Sequence, residues 1–163
     1  MPSTLYQPSA QLIGVNTQEF VNQAQMMLKA HLKLPFTFAT ADAGVLFTVP
    51  TLTNGAAAIK LDSLFWEITT SMTGGATPAI GVSSSNAKYS TKGDLLGGAS
   101  GDLTASLVST NTYVPGTLGA KFAAAATTGK VFLVAGDTLR FDRIASAFTA
   151  GAGYVHVDIT FID

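Results

Sequence analysis

Few side chains in this sequence are able to do chemistry. The chain carries ten carboxylates, two histidines and no cysteine. Without cysteine, disulfides, thiolate nucleophiles and thiolate metal sites are excluded. A glycoside hydrolase would need two carboxylates flanking a sugar bond. Most of the carboxylates, among them Asp42, Asp94, Asp102 and Asp137, sit beside Gly, Ala, Thr or Ser, where Asp is a usual turn former. Glu67 is the exception, in mid-strand beside Trp66. In an enzyme it would be an acid/base. The simpler reading is a solvent-facing or cross-strand paired carboxylate, with Arg140 or Arg143 as partner. His156 and Asp158 lie two apart on one strand face, a spacing that would orient an imidazole or supply two metal ligands. The other histidine, His31, falls in a stretch with helical spacing, so no His-rich metal cluster is expected within one chain. No metal or cofactor is expected. Trp66 would be a sugar-stacking platform if exposed, but its neighbours Leu64 and Ile68 on the same face predict a core residue. The stretch Gly93-Asp94-Leu95-Leu96-Gly97-Gly98 has no strand leading in and no helix following, and reads as a loop. Nucleophile elbow, phosphate loop, zinc spacing and dinucleotide fingerprint are all missing.

The elements that would position these residues are set by a 163-residue chain, the usual size of one domain. Its apolar fraction of 47% is too high for a disordered chain. No stretch approaches the roughly 20 apolar residues of a membrane helix, so no membrane partner is expected. Charged residues make up 12%, against about 25% in an average globular protein, and the net charge is −1. Lys and Arg are scattered singly, so nucleic-acid binding lacks its electrostatic footprint. A weakly charged surface rich in Thr, Ser, Ala and Gly suits a protein largely covered in an assembly, and a homo-oligomer, most simply a trimer, is expected. Residues 1–10 lack the layout of a secretory signal, which predicts maturation inside a cell without export.

Residues 1–15, with Pro2, Pro8 and Gly14, read as an extended arm. Asn16 and Glu19 make a capping box, and Phe20, Ala24, Met27, Leu28 and His31 recur at helical spacing with Val21 beside them. The spacing predicts an amphipathic helix over 16–32, ended by Lys33-Leu34-Pro35. Its apolar face either covers the protein's own core or docks on a partner. In the second case Phe20, Val21, Met27 and Leu28 are the partner-binding residues. Segment 1–33 is thus expected to be separable from a β-domain over 34–163.

From Leu34 onward, short alternating segments are divided by breakers such as Thr53-Asn54-Gly55, Thr73-Gly74-Gly75 and Gly136-Asp137. Strands are expected at 34–40, 44–49, 56–61, 63–72, 78–83, 103–109, 118–126, 131–135, 138–143 and 153–162, with a long exposed loop at 84–102. Val155, Val157, Ile159 and Phe161 form an apolar face, and Tyr154, His156, Asp158 and Thr160 a polar one. Strands at roughly 10-residue spacing without intervening helices predict an all-β fold, a jelly-roll-like β-sandwich with a short N-terminal arm and helix.

The stretch Leu64-Phe65-Trp66-Glu67-Ile68-Thr69-Thr70-Ser71-Met72-Thr73-Gly74-Gly75, followed by Pro78-Ala79-Ile80-Gly81-Val82, resembles a pattern in small virion proteins of tailed bacteriophages. The later Val131-Phe132-Leu133-Val134-Ala135-Gly136-Asp137-Thr138-Leu139-Arg140-Phe141 resembles the strand, Gly-Asp, strand hairpin of jelly-roll domains. Together they cover about a sixth of the chain. The resemblance implies a non-enzymatic capsid decoration (cement) protein. It would bind the major capsid protein on the outside of a phage head as a trimer, having assembled in the host cytoplasm. A head-fibre or tail component recognising a receptor or glycan through 84–102, and a carbohydrate-active jelly-roll enzyme, are the alternatives.

Overall fold

The computed structural model describes residues 11–13, 29–52, 56–74, 79–98, 112–114, 117–119, 122, 130–145 and 148–162. Its strands are β1 (Gln11–Ile13), β2 (Lys29–Thr37), β3 (Gly44–Thr48), β4 (Ala58–Thr73), β5 (Ala79–Ser84), β6 (Leu96–Gly98), β7 (Thr112–Val114), β8 (Thr117–Leu118), β9 (Phe132–Leu133), β10 (Thr138–Ala145) and β11 (Ala150–Ile162). A single turn of 3-10 helix, Ala87–Tyr89, precedes β6. The strands form two sheets. The first runs β1-β2-β11-β4-β7, with β9 also on β4, and the second runs β3-β10-β5-β6-β8. Pairing is antiparallel throughout except between β1 and β2. The fold is therefore all-β.

One apolar core lies between the sheets. The first sheet contributes Leu32, Leu34 and Phe36 from β2, Trp66 and Ile68 from β4, and Val155, Val157 and Ile159 from β11; the second contributes Ile80, Val82, Leu139 and Phe141. Phe36 bridges them, stacking on Phe141 at 5.0 Å between centroids and meeting Trp66 edge-on at 5.4 Å. These inward residues follow period two, as alternation in a half-buried strand requires.

β4 contains a phase change that explains why its sequence reads as two strands. Ile59 and Leu61 are buried, and so are Leu64, Trp66 and Ile68. Odd positions point inward in the first half and even positions in the second. The register shifts at this point: Ile159 of β11 faces Leu61, and Asp158 faces Ser63. Asp62 is the extra residue of a β-bulge, which lets one continuous strand keep both apolar sets in the core. Two more shifts occur opposite Ala150–Gly153. There a Cβ on Gly153 would overlap the Glu67 carbonyl oxygen and lie 3.0 Å from the Phe36 ring and 3.2 Å from Ile68 Cα. Backbone on a paired strand has little freedom to yield. Gly153→Ala is therefore expected to destabilise the fold by about 1–3 kcal/mol in urea unfolding, the range for overpacking. A change below about 0.5 kcal/mol would mean that β11 and β4 are not this close.

Three sequence expectations need correction. Residues 29–32, assigned to the end of a helix, belong to β2, which continues through Pro35 to Thr37. Lys29, His31, Lys33 and Pro35 alternate with the buried Ala30, Leu32, Leu34 and Phe36. Pro35 does not end this element, because β1 pairs only with His31–Lys33. Beyond that point β2 needs no second ladder donor, and an edge position tolerates proline. Residues 16–28 of the expected helix lie outside the described residues. The segment 84–102 is not one exposed loop either: Asp94, Leu95 and Leu96 are buried, and β6 pairs with β5. Finally, the Gly136-Asp137 turn is present, with Asp137 N–H donating to the Val134 carbonyl at 3.0 Å and Gly136 at φ 89°. Its flanking strands, however, pair in different sheets, β9 with β4 and β10 with β3 and β5. The turn is a corner between sheets and not a hairpin.

Candidate functional site

The outward face of the first sheet gathers both histidines together with Glu67 and Asp158. Because β11 lies between β2 and β4, alternation brings three sets of outward residues together: His31 and Lys33 on β2, Ser63, Phe65 and Glu67 on β4, and Tyr154, His156 and Asp158 on β11. The register places Asp158 between His31 and Ser63, His156 between Lys33 and Phe65, and Tyr154 beside Glu67. Diagonal neighbours on a sheet are within reach of long side chains, and here they link into a chain of hydrogen bonds. The Ser63 hydroxyl donates to Asp158 Oδ2. Asp158 Oδ1 lies 2.6 Å from His31 Nδ1. His31 Nε2 lies 2.7 Å from His156 Nδ1, and His156 Nε2 lies 2.7 Å from Glu67 Oε2. The Lys33 ammonium, 2.8 Å from the same Glu67 oxygen, sits 4.3 Å from the centre of the Tyr154 ring.

Two members of this hydrogen-bonded series are removed from water. His156 and Glu67 are 3% and 4% exposed. Phe65 stacks flat on the His156 ring, 4.6 Å between centroids and 4° between planes. Burial by itself would push the Glu67 carboxyl up, but hydrogen bonds from Lys33 and His156 outweigh it and hold the group below its ordinary value. Asp158 follows the same pattern: burial opposes, while Ser63 and His31 donate and win. The His156 imidazolium is disfavoured chiefly by burial, and the hydrogen bond to Glu67 only partly offsets this.

The arrangement limits the chemistry. An activated serine needs its hydroxyl against a base such as imidazole, whereas the Ser63 hydroxyl is bonded to Asp158. Glu67 Oε2 accepts from both the Lys33 ammonium and the His156 ring, so that oxygen is already engaged. Among the described residues, no group of three or more His, Asp or Glu is placed to hold a metal ion. The face is built to hold protons and charges in fixed register.

Sequence reasoning anticipated parts of this face. His156 and Asp158 share it as expected. Glu67 is paired across strands, but with Lys33 and His156 rather than Arg140 or Arg143. Those arginines lie on β10 in the other sheet, where Arg140 Nε donates to Thr138 and Arg143 Nε to the Thr40 carbonyl. Helical spacing around His31 predicts no cluster with His156, whereas in β2 it touches that ring directly. The signal that would have found it is the period-two run Lys29 to Phe36. Trp66 is fully buried, as its neighbours predicted. Phe20, Val21, Met27 and Leu28 lie outside the described residues.

A second polar group has a structural task. Asp142, 1% exposed, accepts from the Ser83 hydroxyl at 2.9 Å and from Gly93 N–H at 3.0 Å, tying the segment before β6 onto β5 and β10. Burial raises its carboxyl despite those two donors. Gly81 lies opposite Asp142, and a Cβ there would approach Gly93 Cα to 2.9 Å, so the segment rests directly on the sheet. No family model, curated protein sequence or solved structure matches this chain.

Proposed function

We propose that this chain is a non-enzymatic virion structural protein, a decoration protein that binds the outer surface of a tailed-phage head and stabilises it. The observation that carries the reading is the placement of two stretches, one that resembles a pattern in phage virion proteins and one that resembles the strand, Gly-Asp, strand motif of jelly-roll domains. Both cross between the sheets, one from β4 to β5 and the other from β9 to β10. Consecutive strands also change sheet from β2 to β3, from β3 to β4 and from β10 to β11. Such alternation supports a jelly-roll-like sandwich. The mechanism is mechanical. A trimer bridging neighbouring copies of the major capsid protein buries surface on each and raises the free energy needed to rupture the shell.

The few charges are singly placed and nearly balanced. Exposed ion pairs contribute about 0–1 kcal/mol and are screened by salt. Apolar burial contributes about 25 cal/mol per Å², over a standard interface of roughly 800 Å² per partner. Phe20, Val21, Met27 and Leu28 remain the proposed contacts, and the exposed Val45, Phe132 and Val134 add apolar surface. Binding to undecorated phage heads is therefore expected to change less than tenfold between about 0.1 M and about 1 M NaCl. A larger loss, above about 1.4 kcal/mol, would show that charge carries attachment. Absence of head binding would overturn the reading. Glycan or host-cell binding would then favour a head-fibre or tail component. Turnover on a glycan panel that is lost in Glu67→Gln would favour a carbohydrate-active enzyme.

A further inference from the structure

We propose that His31 and His156 share one excess proton, forming an imidazole–imidazolium pair clamped between Asp158 and Glu67. Counting hydrogens leads to this. Three short contacts use all four ring nitrogens: His31 Nδ1 with Asp158 at 2.6 Å, His31 Nε2 with His156 Nδ1 at 2.7 Å, and His156 Nε2 with Glu67 at 2.7 Å. Each contact at that distance needs one hydrogen between its heavy atoms. Two neutral imidazoles bring one N–H each, and ionised carboxylates bring none. If both N–H groups face the carboxylates, the facing nitrogens of the two rings meet lone pair to lone pair. A third hydrogen is required.

That hydrogen resides on the rings. Glu67 already accepts from Lys33 at 2.8 Å, and Asp158 from the Ser63 hydroxyl, so both carboxyls are held ionised. A fourth hydrogen is excluded, because 2.7 Å between nitrogens leaves room for one. In the resulting arrangement His31 donates from both nitrogens, to Asp158 and to His156, while His156 accepts at Nδ1 and donates from Nε2 to Glu67. The pair's single positive charge and Lys33 are matched by Asp158 and Glu67. The other groups on this face are Lys29 on β2, Tyr154 on β11 and the mutually paired Lys60 and Asp62 on β4, 2.7 Å apart. The register adds Gln11 of β1 opposite His31 and Tyr113 of β7 opposite Glu67.

The pair joins β2, β11 and β4, so its proton count sets how firmly the middle of the first sheet is closed. As pH falls below about 6.5, the unfolded chain takes up a second histidine proton more readily than the folded pair, whose His156 is held below its ordinary value by burial; stability falls. When the shared proton leaves, the facing ring nitrogens meet lone pair to lone pair and the link between β2 and β11 is lost. Uptake and release of these protons belong to the pair and not to either ring.

The chain has two histidines, both in this pair, so a tag-free sample gives an uncluttered readout. Histidine side-chain nitrogen NMR on the intact protein near pH 6.5 is expected to show three protonated ring nitrogens and one unprotonated. Two of each would mean two neutral rings, and four protonated would mean two cations; either overturns the proposal. Asp158→Asn should move release of the shared proton down by about one pH unit or more. An unchanged titration in a folded variant also overturns it.

Discussion

A chain lacking Met1–Lys33 is expected not to fold. Sequence periodicity marks residue 33 as the end of a separable segment, yet this boundary falls inside β2, between Lys33 and Leu34. The cut removes the fully buried Leu32 and the buried Ala30 from the core and leaves only Leu34–Thr37 to pair with β11. It also removes both β2 members of the polar chain, His31 and Lys33. Truncating one buried Leu to Ala commonly costs about 2–5 kcal/mol, and a whole domain is stable by only about 5–15 kcal/mol. Losing half of a strand from the sheet interior exceeds what the remainder supplies. Circular dichroism and thermal melting of the truncated chain check this. A cooperative melt close to that of the full chain would show that β2 is dispensable and that the boundary at 33 is real.

Trp66→Ala is the point substitution with the largest expected effect. The indole is fully buried and meets Phe36, which in turn stacks on Phe141 of the other sheet. Removing a buried aromatic costs about 3–5 kcal/mol. At about 2–4 °C per kcal/mol for a chain of this size, the melting temperature should fall by roughly 6–20 °C. The indole Nε1 has no hydrogen-bond acceptor among the described residues. Trp66→Phe gives up that unsatisfied donor together with part of the ring, so its loss should be clearly smaller than that of Trp66→Ala. An alanine variant losing less than about 1 kcal/mol would place Trp66 at the surface, as a sugar-stacking role requires.

Where strict alternation was visible, the fold could be read from the residues. Val155 to Phe161 and Leu64 to Ile68 declare their inward faces, and β3, β5, β10 and β11 lie where turn residues bracket them. Two physical circumstances hid the rest. In the run from Lys29 to Thr37, small and aliphatic residues fit period two and, with Met27 and Leu28 upstream, also fit period 3.6. Local pattern alone does not choose between them, and the choice is made by β11, more than a hundred residues away. In β4, the bulge at Asp62 breaks the phase, so one strand reads as two. The polar site was half legible for the same reason. His156 and Asp158 declare themselves by spacing, whereas His31, Lys33 and Glu67 join them only through cross-strand register. Nothing in a linear pattern marked residues 94–96 as buried, because they are laid onto β5 by long-range register: Leu95 N–H donates to the Val82 carbonyl, and Leu96 pairs with Val82.

The position of β11 has a consequence in time. During synthesis β2 and β4 are made early, but the strand that lies between them comes from residues 150–162. Until that segment exists, two long apolar strands have open edges where their shared neighbour belongs. Such edges invite pairing with other chains. Closure then depends on contacts spanning most of the chain, as between His31 and Asp158, 127 residues apart. Proteins dominated by such distant pairings fold in about milliseconds to seconds. For this chain, yield in a cell is therefore set by how quickly β11 reaches the gap, and chaperones that shield strand edges should raise it more than any gain in final stability.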